Sequence, residues 1–177
     1  MALRSILHYP DSRLRQVCPE QTIFDGELKT LVNDMFETMY SAKGIGLSAI
    51  QINVITRVIT IDVSKEQNER LTLINPIIHD HQDSILFDEG CLSVPGFYEK
   101  VQRFNYIKYS AKDINGKIFT SESTGLQAVC IQHEIDHLDG KLFVDYLSDM
   151  KRNRIEKGLK KMQQMGIDST REKNPYT

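Results

Sequence analysis

Tryptophan is absent from this sequence, cysteine is scarce, and no apolar run is long. The three cysteines, at positions 18, 91 and 130, are odd in number and far apart, which argues against a disulfide framework and fits a reducing compartment. No stretch approaches the roughly 20 apolar residues that a membrane span needs. The N-terminal segment meets Pro10 and Asp11 too early to be a secretion signal. We therefore expect a cytoplasmic protein that does not insert into a membrane.

The sequence also lacks a large excess of charge of one sign. The formal net charge is −2, which excludes a strongly basic DNA-binding protein, although a local basic patch remains open. Hydrophobic residues make up 40% of the chain and charged residues 26%, which is ordinary for a folded protein. A length of 177 residues suits one domain with a full-sized core. We predict one domain over residues 1–165 and a flexible tail over 166–177.

Hydrophobic periodicity predicts helices and strands in no regular alternation. Apolar residues recur at three- and four-residue steps after Asp25, a good N-cap, and β-branched runs flank the turn residues Asn115 and Gly116. The predicted helices cover about 26–42, 126–138 and 146–165, the predicted strands 54–63 and 71–78, a hairpin 104–123, and an extended loop 44–51. Because βαβ units are not apparent, the predicted class is α+β, with mixed or antiparallel sheets around a central helix and a C-terminal helix.

The central helix carries the pattern QHEIDHLDG, from Gln132 to Gly140. His133 and His137 lie one turn apart, so their imidazoles can converge on one cation, while Glu134 lies about 100° around the helix at the edge of such a site. A bare HExxH pattern also arises by chance, and a pair of structural histidines is the alternative. Apolar residues on both sides of the helix predict burial, and buried histidines need polar partners or a metal.

Enzymes with an HExxH pattern differ in the residue that serves as the third metal ligand, so its identity distinguishes between several enzyme classes. The longer pattern HExxHxxGxxH fails at its last position, which is Phe143. Glu156 lies at the distance expected of a zinc endoprotease, but it is surrounded by basic residues. Cys130 is about 10 Å along the helix axis from His137, too far to share an ion easily. Cys91, in the segment EGCLS, is the remaining candidate.

Three segments resemble the three motifs of the peptide deformylase family, in the family's order and at its approximate spacing. They are GIGLSAIQ at 44–51, EGCLS at 89–93 and QHEIDHLDG at 132–140. The N-terminal residues His8, Tyr9, Pro10, Asp11 and Leu14 also fit the family. Ser48 is a departure, since the family usually carries alanine there, and its hydroxyl needs a hydrogen-bond partner.

The resemblance implies removal of the formyl group from the N-terminal formylmethionine of nascent polypeptides, with release of formate. It implies Cys91, His133 and His137 as metal ligands and Fe(2+) as the ion, with zinc, nickel or cobalt able to replace it in purified protein. Water at the open coordination position has its pKa lowered toward about 7, and Glu134 then serves as general base and acid. The Gln51 amide and the Leu92 backbone N–H are implied as oxyanion donors.

A narrow slot is expected to hold the methionine side chain, and glycines beside it allow a peptide backbone to approach. Any one of these residues could instead be a plain core residue. We also expect Glu89 to pair with Arg103. The expected substrate-binding residues are Gly44, Ile45, Gly46, Phe87, Glu89, Gly90, Leu126, Val129 and Cys130.

The C-terminal helix carries six lysines and arginines and a single glutamate between Lys151 and Lys161. The bacterial-type form of the family with such a helix docks near the ribosomal exit tunnel, which a basic surface would favour. A plain amphipathic helix is the alternative. Two other functions remain open: a zinc endoprotease using Glu156, and a non-catalytic ribosome-associated metal protein. The presence of Glu134 and Gln51 argues against the latter, because a structural metal site needs neither.

Overall fold

The structure, a computed structural model, describes residues 2–165, and the tail predicted over 166–177 lies outside them. Five antiparallel strands form one sheet in chain order: β1 (Gly46–Ser48), β2 (Val58–Ile61), β3 (Leu71–Cys91), β4 (Val94–Lys112) and β5 (Ile118–Thr124). The helices are α1 (Gly26–Ser41), α2 (Gly125–Leu138) and α3 (Asp149–Gln164). The α+β class is therefore confirmed, with antiparallel pairing throughout the sheet.

Helix α2 lies against the sheet and is buried for most of its length. Ala128, Ile131 and Leu138 are fully buried among the apolar residues of the inner strands. The helix ends in a Schellman motif: Gly140 has φ +72°, its N–H bonds to the His137 carbonyl, and the Lys141 N–H bonds to the Asp136 carbonyl. Both histidines of the HExxH pattern are thus on a rigid helix held in the core.

The strands differ in extent from the sequence prediction. The strand predicted over 54–63 is only Val58–Ile61, because residues before it form turns and the Arg57 N–H bonds to the Pro19 carbonyl. The strand predicted over 71–78 continues to Cys91, and Pro76 is accommodated at a register shift between Ile74 and Ile77.

The segment predicted as an extended loop over 44–51 contains the edge strand β1 and a short 3-10 helix, Ala49–Ile52. The hairpin around Asn115 and Gly116 is present, with Gly116 at φ +83°. The C-terminal helix begins at Asp149 instead of about 146, because Phe143–Tyr146 forms a separate 3-10 helix.

Helix α3 packs on the segment that follows Cys91. Ile155 and Leu159 are buried against it, and Glu99 at the start of β4 accepts ion pairs from Lys151 at 2.7 Å and from Arg154. Within residues 2–165, no helix has the length and apolar character needed to cross a bilayer.

Candidate metal centre

Cys91, His133 and His137 come together although they are far apart in sequence. Each is buried, and their ligand atoms all lie within 4.8 Å of one another. The Cys91 sulfur is 3.2 Å from His137 Nε2, and the two histidine rings meet edge to face with centroids 4.9 Å apart. Among residues 2–165, this is the one group of three or more His, Cys, Asp or Glu residues that could hold a metal ion.

The turn between β3 and β4 positions the cysteine. Cys91 is the last residue of β3 and pairs with Val94, so the chain reverses over Leu92 and Ser93. The Ser93 N–H points at the Cys91 sulfur at 3.4 Å, and Gln51 Nε2 lies 3.6 Å from the same sulfur. These two contacts hold the sulfur in place beside the two histidines.

Behind the cluster, Glu89 connects a histidine to a buried ion-pair network. Its Oε2 lies 2.8 Å from His133 Nδ1, and its two oxygens accept hydrogen bonds from Arg103 at 2.5 and 3.1 Å. Arg103 also donates to Asp136 at 2.7 Å, and Asp136 accepts from the Tyr146 hydroxyl at 2.9 Å. The Glu89–Arg103 pair expected from the sequence is present, whereas Asp136 and Tyr146 were missed. Asp136 lies three residues after His133, so the two side chains are neighbours on one face of α2. This spacing could have indicated a role for Asp136 near the site.

The electrostatics of the cluster fit a cation. Burial opposes the charge of Glu89, but hydrogen bonds from His133 and Arg103 outweigh it and lower the pKa of Glu89 to about 2. Burial, with the nearby His133, lowers the pKa of His137 well below its usual value, so this ring is neutral and can donate a lone pair. His137 Nδ1 has no hydrogen-bond partner within the described part of the chain. Two imidazoles and one cysteine sulfur, with a carboxylate behind one ring, form a donor set suited to a divalent transition metal.

Glu134 lies beside the Cys91–His133–His137 group and contacts the edge strand β1. It lines the same pocket as His133 and Cys91 and is 3% exposed. The Ser48 hydroxyl is 2.7 Å from Glu134 Oε2 and 2.8 Å from the Glu134 carbonyl oxygen, which supplies the partner that the sequence required for this hydroxyl.

Gln51 is buried instead of lying on the surface, as a glutamine usually does. Its Oε1 accepts a hydrogen bond from the Ser48 N–H at 2.8 Å, and its Nε2 donates to Ser93 Oγ at 3.0 Å. These two contacts hold the amide beside Cys91. Ser93 was not singled out from the sequence, and no local pattern indicates its role, because the contact joins residues 42 positions apart.

A narrow pocket opens onto the cluster. Leu92, Cys130 and Glu134 are among its walls, whereas His137 is fully buried beneath it. Burial, with the nearby carboxylates, raises the pKa of the Cys130 thiol well above its usual value, so this wall is uncharged. All of the residues that were expected to bind substrate line this pocket: Gly44, Ile45, Gly46, Phe87, Glu89, Gly90, Leu126, Val129 and Cys130.

Glu156, the third ligand of the alternative endoprotease, is not part of the cluster. Its Oε1 accepts a hydrogen bond from the Tyr9 hydroxyl, and it lies on α3 outside the Cys–His–His group. The endoprotease interpretation is therefore not favoured.

The fold and the site together define a metal-dependent hydrolase. The family model described as polypeptide deformylase matches residues 3–153. Peptide deformylase of Chromobacterium violaceum is 49% identical over 167 residues, covering 94% of this chain and all of the relative, and that of Teredinibacter turnerae is 54% identical, covering 91% and 96%. The crystal structure of a peptide deformylase from Legionella pneumophila superimposes with a TM-score of 0.90 at 45% identity, covering 93% of this chain and 98% of that one.

The chain belongs to the polypeptide deformylase family. It is an enzyme that removes the N-formyl group from nascent polypeptides.

Proposed function

We propose that deformylation takes place at the Cys91–His133–His137 centre, with these three side chains as the metal ligands. The observation that carries this assignment is the convergence of their buried ligand atoms within 4.8 Å, beside the carboxyl group of Glu134. We further propose that residues 1–165 form one catalytic domain.

The metal is proposed to be Fe(2+), as in the family. When bound, it polarises the formyl carbonyl and lowers the pKa of water toward about 7. Imidazole and thiolate ligands also suit zinc, nickel and cobalt, so the donor set alone does not choose between these ions. Metal analysis of anaerobically purified protein tests the choice: iron should predominate, and activity should decay in air and return with Fe(2+) and a reductant. Zinc as the main ion in active, anaerobically prepared protein would contradict it.

Glu134 is proposed to accept the proton of the attacking water at its carboxylate and to donate a proton to the departing amine. The oxygen of the former formyl group becomes negatively charged during attack and needs hydrogen-bond donors. We assign this role to the Leu92 backbone N–H and to Gln51 Nε2. An amide nitrogen carries two donors. Ser93 takes one, and the other, now 3.6 Å from the Cys91 sulfur, is the one assigned to the substrate.

The pocket supports recognition of a small acyl group followed by an unbranched side chain. Its cavity volume is about 30 Å³, so the space inside it is small. Ile45, Leu126, Val129 and Cys130 provide apolar walls for the methionine side chain. The strand β1 is at the edge of the sheet and pairs only with β2 among the described strands, so its outer edge can pair with an extended peptide.

Formate release from formyl-Met-Ala-Ser by anaerobic, Fe(2+)-loaded protein tests this function. We expect turnover in the unmodified chain and a loss of about 100-fold or more in Glu134→Gln with its metal content retained, since a general base contributes roughly that much. Glu156→Gln should turn over normally. A Glu134→Gln variant with full activity would overturn the assignment of the base, and an inactive Glu156→Gln variant would contradict the placement of Glu156 outside the catalytic site.

The cellular setting is also proposed. Nascent chains as substrates, and three buried free cysteines, fit the cytoplasm, where thiols stay reduced. The exposed lysines of α3, Lys157, Lys160 and Lys161, form a basic surface suited to ribosomal RNA near the exit tunnel.

Co-sedimentation with ribosomes tests this surface. Truncation of α3 is a poor probe, because it would remove the buried Ile155 and Leu159. Replacement of Lys157, Lys160 and Lys161 by alanine should weaken ribosome binding and leave formate release from the free peptide unchanged. The matched control replaces three exposed lysines elsewhere, Lys29, Lys65 and Lys117. An equal loss in both triple variants would indicate nonspecific attraction and contradict docking through α3.

A further inference from the structure

Ser48 differs from the alanine usual in the family, and its side chain contacts the carboxyl group proposed as general base. Its hydroxyl lies 2.7 Å from Glu134 Oε2, and both residues are buried, with Ser48 fully so. The contact joins residues 86 positions apart, so it depends on the packing of β1 against α2. A hydrogen bond to a charged group in such a buried place is stronger than one at the surface.

The edge strand β1 holds the carboxylate from two positions. Gly46 and Ser48 are two residues apart on a strand, so they face the same side. A Cβ atom at Gly46 would collide with Glu134 Oε1 and would lie 2.6 Å from the Cys130 sulfur. Glu134 Oε1 therefore lies against the bare backbone of Gly46, while Oε2 is bonded to Ser48. One oxygen of the carboxyl group therefore has room at Gly46, and the other has a hydrogen-bond donor at Ser48.

The backbone of Ser48 acts on a second side chain of the proposed mechanism. Its N–H donates to Gln51 Oε1 at 2.8 Å, which turns the Gln51 amide so that Nε2 points toward Ser93 and Cys91. Any residue other than proline supplies this N–H, whereas the contact to Glu134 Oε2 needs a side chain with a hydroxyl group.

We propose that Ser48 is a positioning residue that fixes the orientation of the Glu134 carboxylate for proton transfer. This inference rests on the proposed function, in which Glu134 is the base. The serine hydroxyl can serve the carboxyl group before and after transfer. It donates to Oε2 of the carboxylate, and once Glu134 holds the proton it accepts from the carboxyl group and turns its own hydrogen to the Glu134 carbonyl, 2.8 Å away.

The test compares Ser48→Ala with Ser48→Thr, which keeps a hydroxyl. For formyl-Met-Ala-Ser and metal-loaded protein, we expect kcat of Ser48→Ala to fall about tenfold with KM unchanged, because the hydroxyl acts on proton transfer and not on peptide binding. Ser48→Thr should retain most of the lost kcat. Metal affinity, measured by competition with a chelator, should stay unchanged, and a crystal structure of Ser48→Ala should show Glu134 in more than one carboxylate orientation.

Thr60→Val is the matched control. Thr60 is fully buried on β2, and its hydroxyl donates to the Leu47 carbonyl at 3.3 Å. Its loss should leave kcat unchanged. Wild-type kcat in Ser48→Ala, an equal fall in Thr60→Val, or an unchanged single carboxylate orientation in the Ser48→Ala crystal would each overturn the inference.

The activities of Glu134→Gln and Ser48→Ala together distinguish an error in the proposed base from an error in the role of Ser48. If Glu134→Gln is fully active, the proposed base is wrong. If Glu134→Gln is inactive while Ser48→Ala is unaffected, only the role of Ser48 is wrong.

Discussion

Glu89 Oε2 accepts a hydrogen bond from His133 Nδ1 at 2.8 Å, which leaves Nε2 as the nitrogen that His133 can offer a metal. Arg103 donates hydrogen bonds to both oxygens of the same carboxylate. A carboxylate behind a metal-binding histidine fixes the ring and raises its basicity as a ligand. The position of the ring therefore depends on a residue outside the Cys91–His133–His137 group.

Glu89→Gln should weaken metal binding by about 10- to 100-fold, the usual effect of losing such a partner. The amide keeps the size of the side chain but removes the charge that faces His133 and Arg103. Chelator competition measures the dissociation constant directly. Glu99→Gln is the matched control, because Glu99 also forms two ion pairs, with Lys151 and Arg154, but only to α3. Equal metal affinity in the two variants would contradict the role of Glu89.

Gly46→Ala should reduce kcat more than tenfold. Its new Cβ would collide with Glu134 Oε1 and lie 2.6 Å from the Cys130 sulfur, so the carboxylate must move. Since the proposed general base must be aligned with the attacking water, a displacement of this kind should lower the rate of proton transfer. Steady-state formate release measures the effect.

Gly26→Ala is the control for the change of glycine to alanine. Gly26 begins α1, and a Cβ there meets nothing within 4 Å. We expect unchanged activity and equal or slightly greater stability, because alanine has a higher helix propensity than glycine. If Gly46→Ala were as active as Gly26→Ala, the close approach of β1 to Glu134 would not matter for catalysis.

Val129→Ala should broaden the preference for the first side chain of the substrate. Val129 is buried on α2 and lines the pocket, so truncation enlarges the space beside the proposed methionine slot. The ratio of kcat/KM for formyl-Phe to formyl-Met peptides should rise. Val32→Ala, a similar truncation in α1 away from the pocket, controls for the loss of stability of about 2 kcal/mol expected of either change. An unchanged ratio would exclude Val129 from the slot.

The sequence predicted the helix of the site better than the strands around it. The spacing of His133 and His137 defines a helical face by itself, because the helix period is a local property. The long strand β3 was underestimated, since Pro76 and the polar run after it favour a break. Its continuation depends on pairing with β4, which no local pattern reveals.

Contacts that join distant segments could not be predicted in detail. The sequence showed that the Ser48 hydroxyl needs a partner, but not that the partner is Glu134, because that contact requires β1 to lie against α2. Cys91 could be proposed as a ligand only through elimination and the family resemblance. Its approach to the histidines arises from the turn that ends β3, which is a result of tertiary structure.

Asp34, on α1, should make stability depend on pH. Its carboxylate accepts hydrogen bonds from the Ala2 N–H at 2.7 Å and from Arg4 at 2.7 and 3.0 Å, and its side chain is only 2% exposed. The backbone hydrogen bond from Ala2, followed by the contacts with Arg4, lowers the pKa of Asp34 although burial opposes this. A pKa lowered in the folded state means that the unfolded chain binds the proton more readily.

The stabilisation from Asp34 is therefore fully present above the pKa that Asp34 has in the unfolded chain, about 4. It is lost as the pH falls through the lower pKa that Asp34 has in the folded chain. Asp34→Asn should unfold at a lower temperature than the unmodified chain at pH 7. This gap between the two unfolding temperatures should stay constant down to about pH 5. Below about pH 4 the gap should narrow. Glu66→Gln, which removes an exposed carboxylate, should show little difference at any pH. If the ionised carboxylate of Asp34 stabilises the fold, acidification can only reduce the difference in unfolding temperature between Asp34→Asn and the unmodified chain. A difference that increased on acidification would show that this carboxylate does not stabilise the fold.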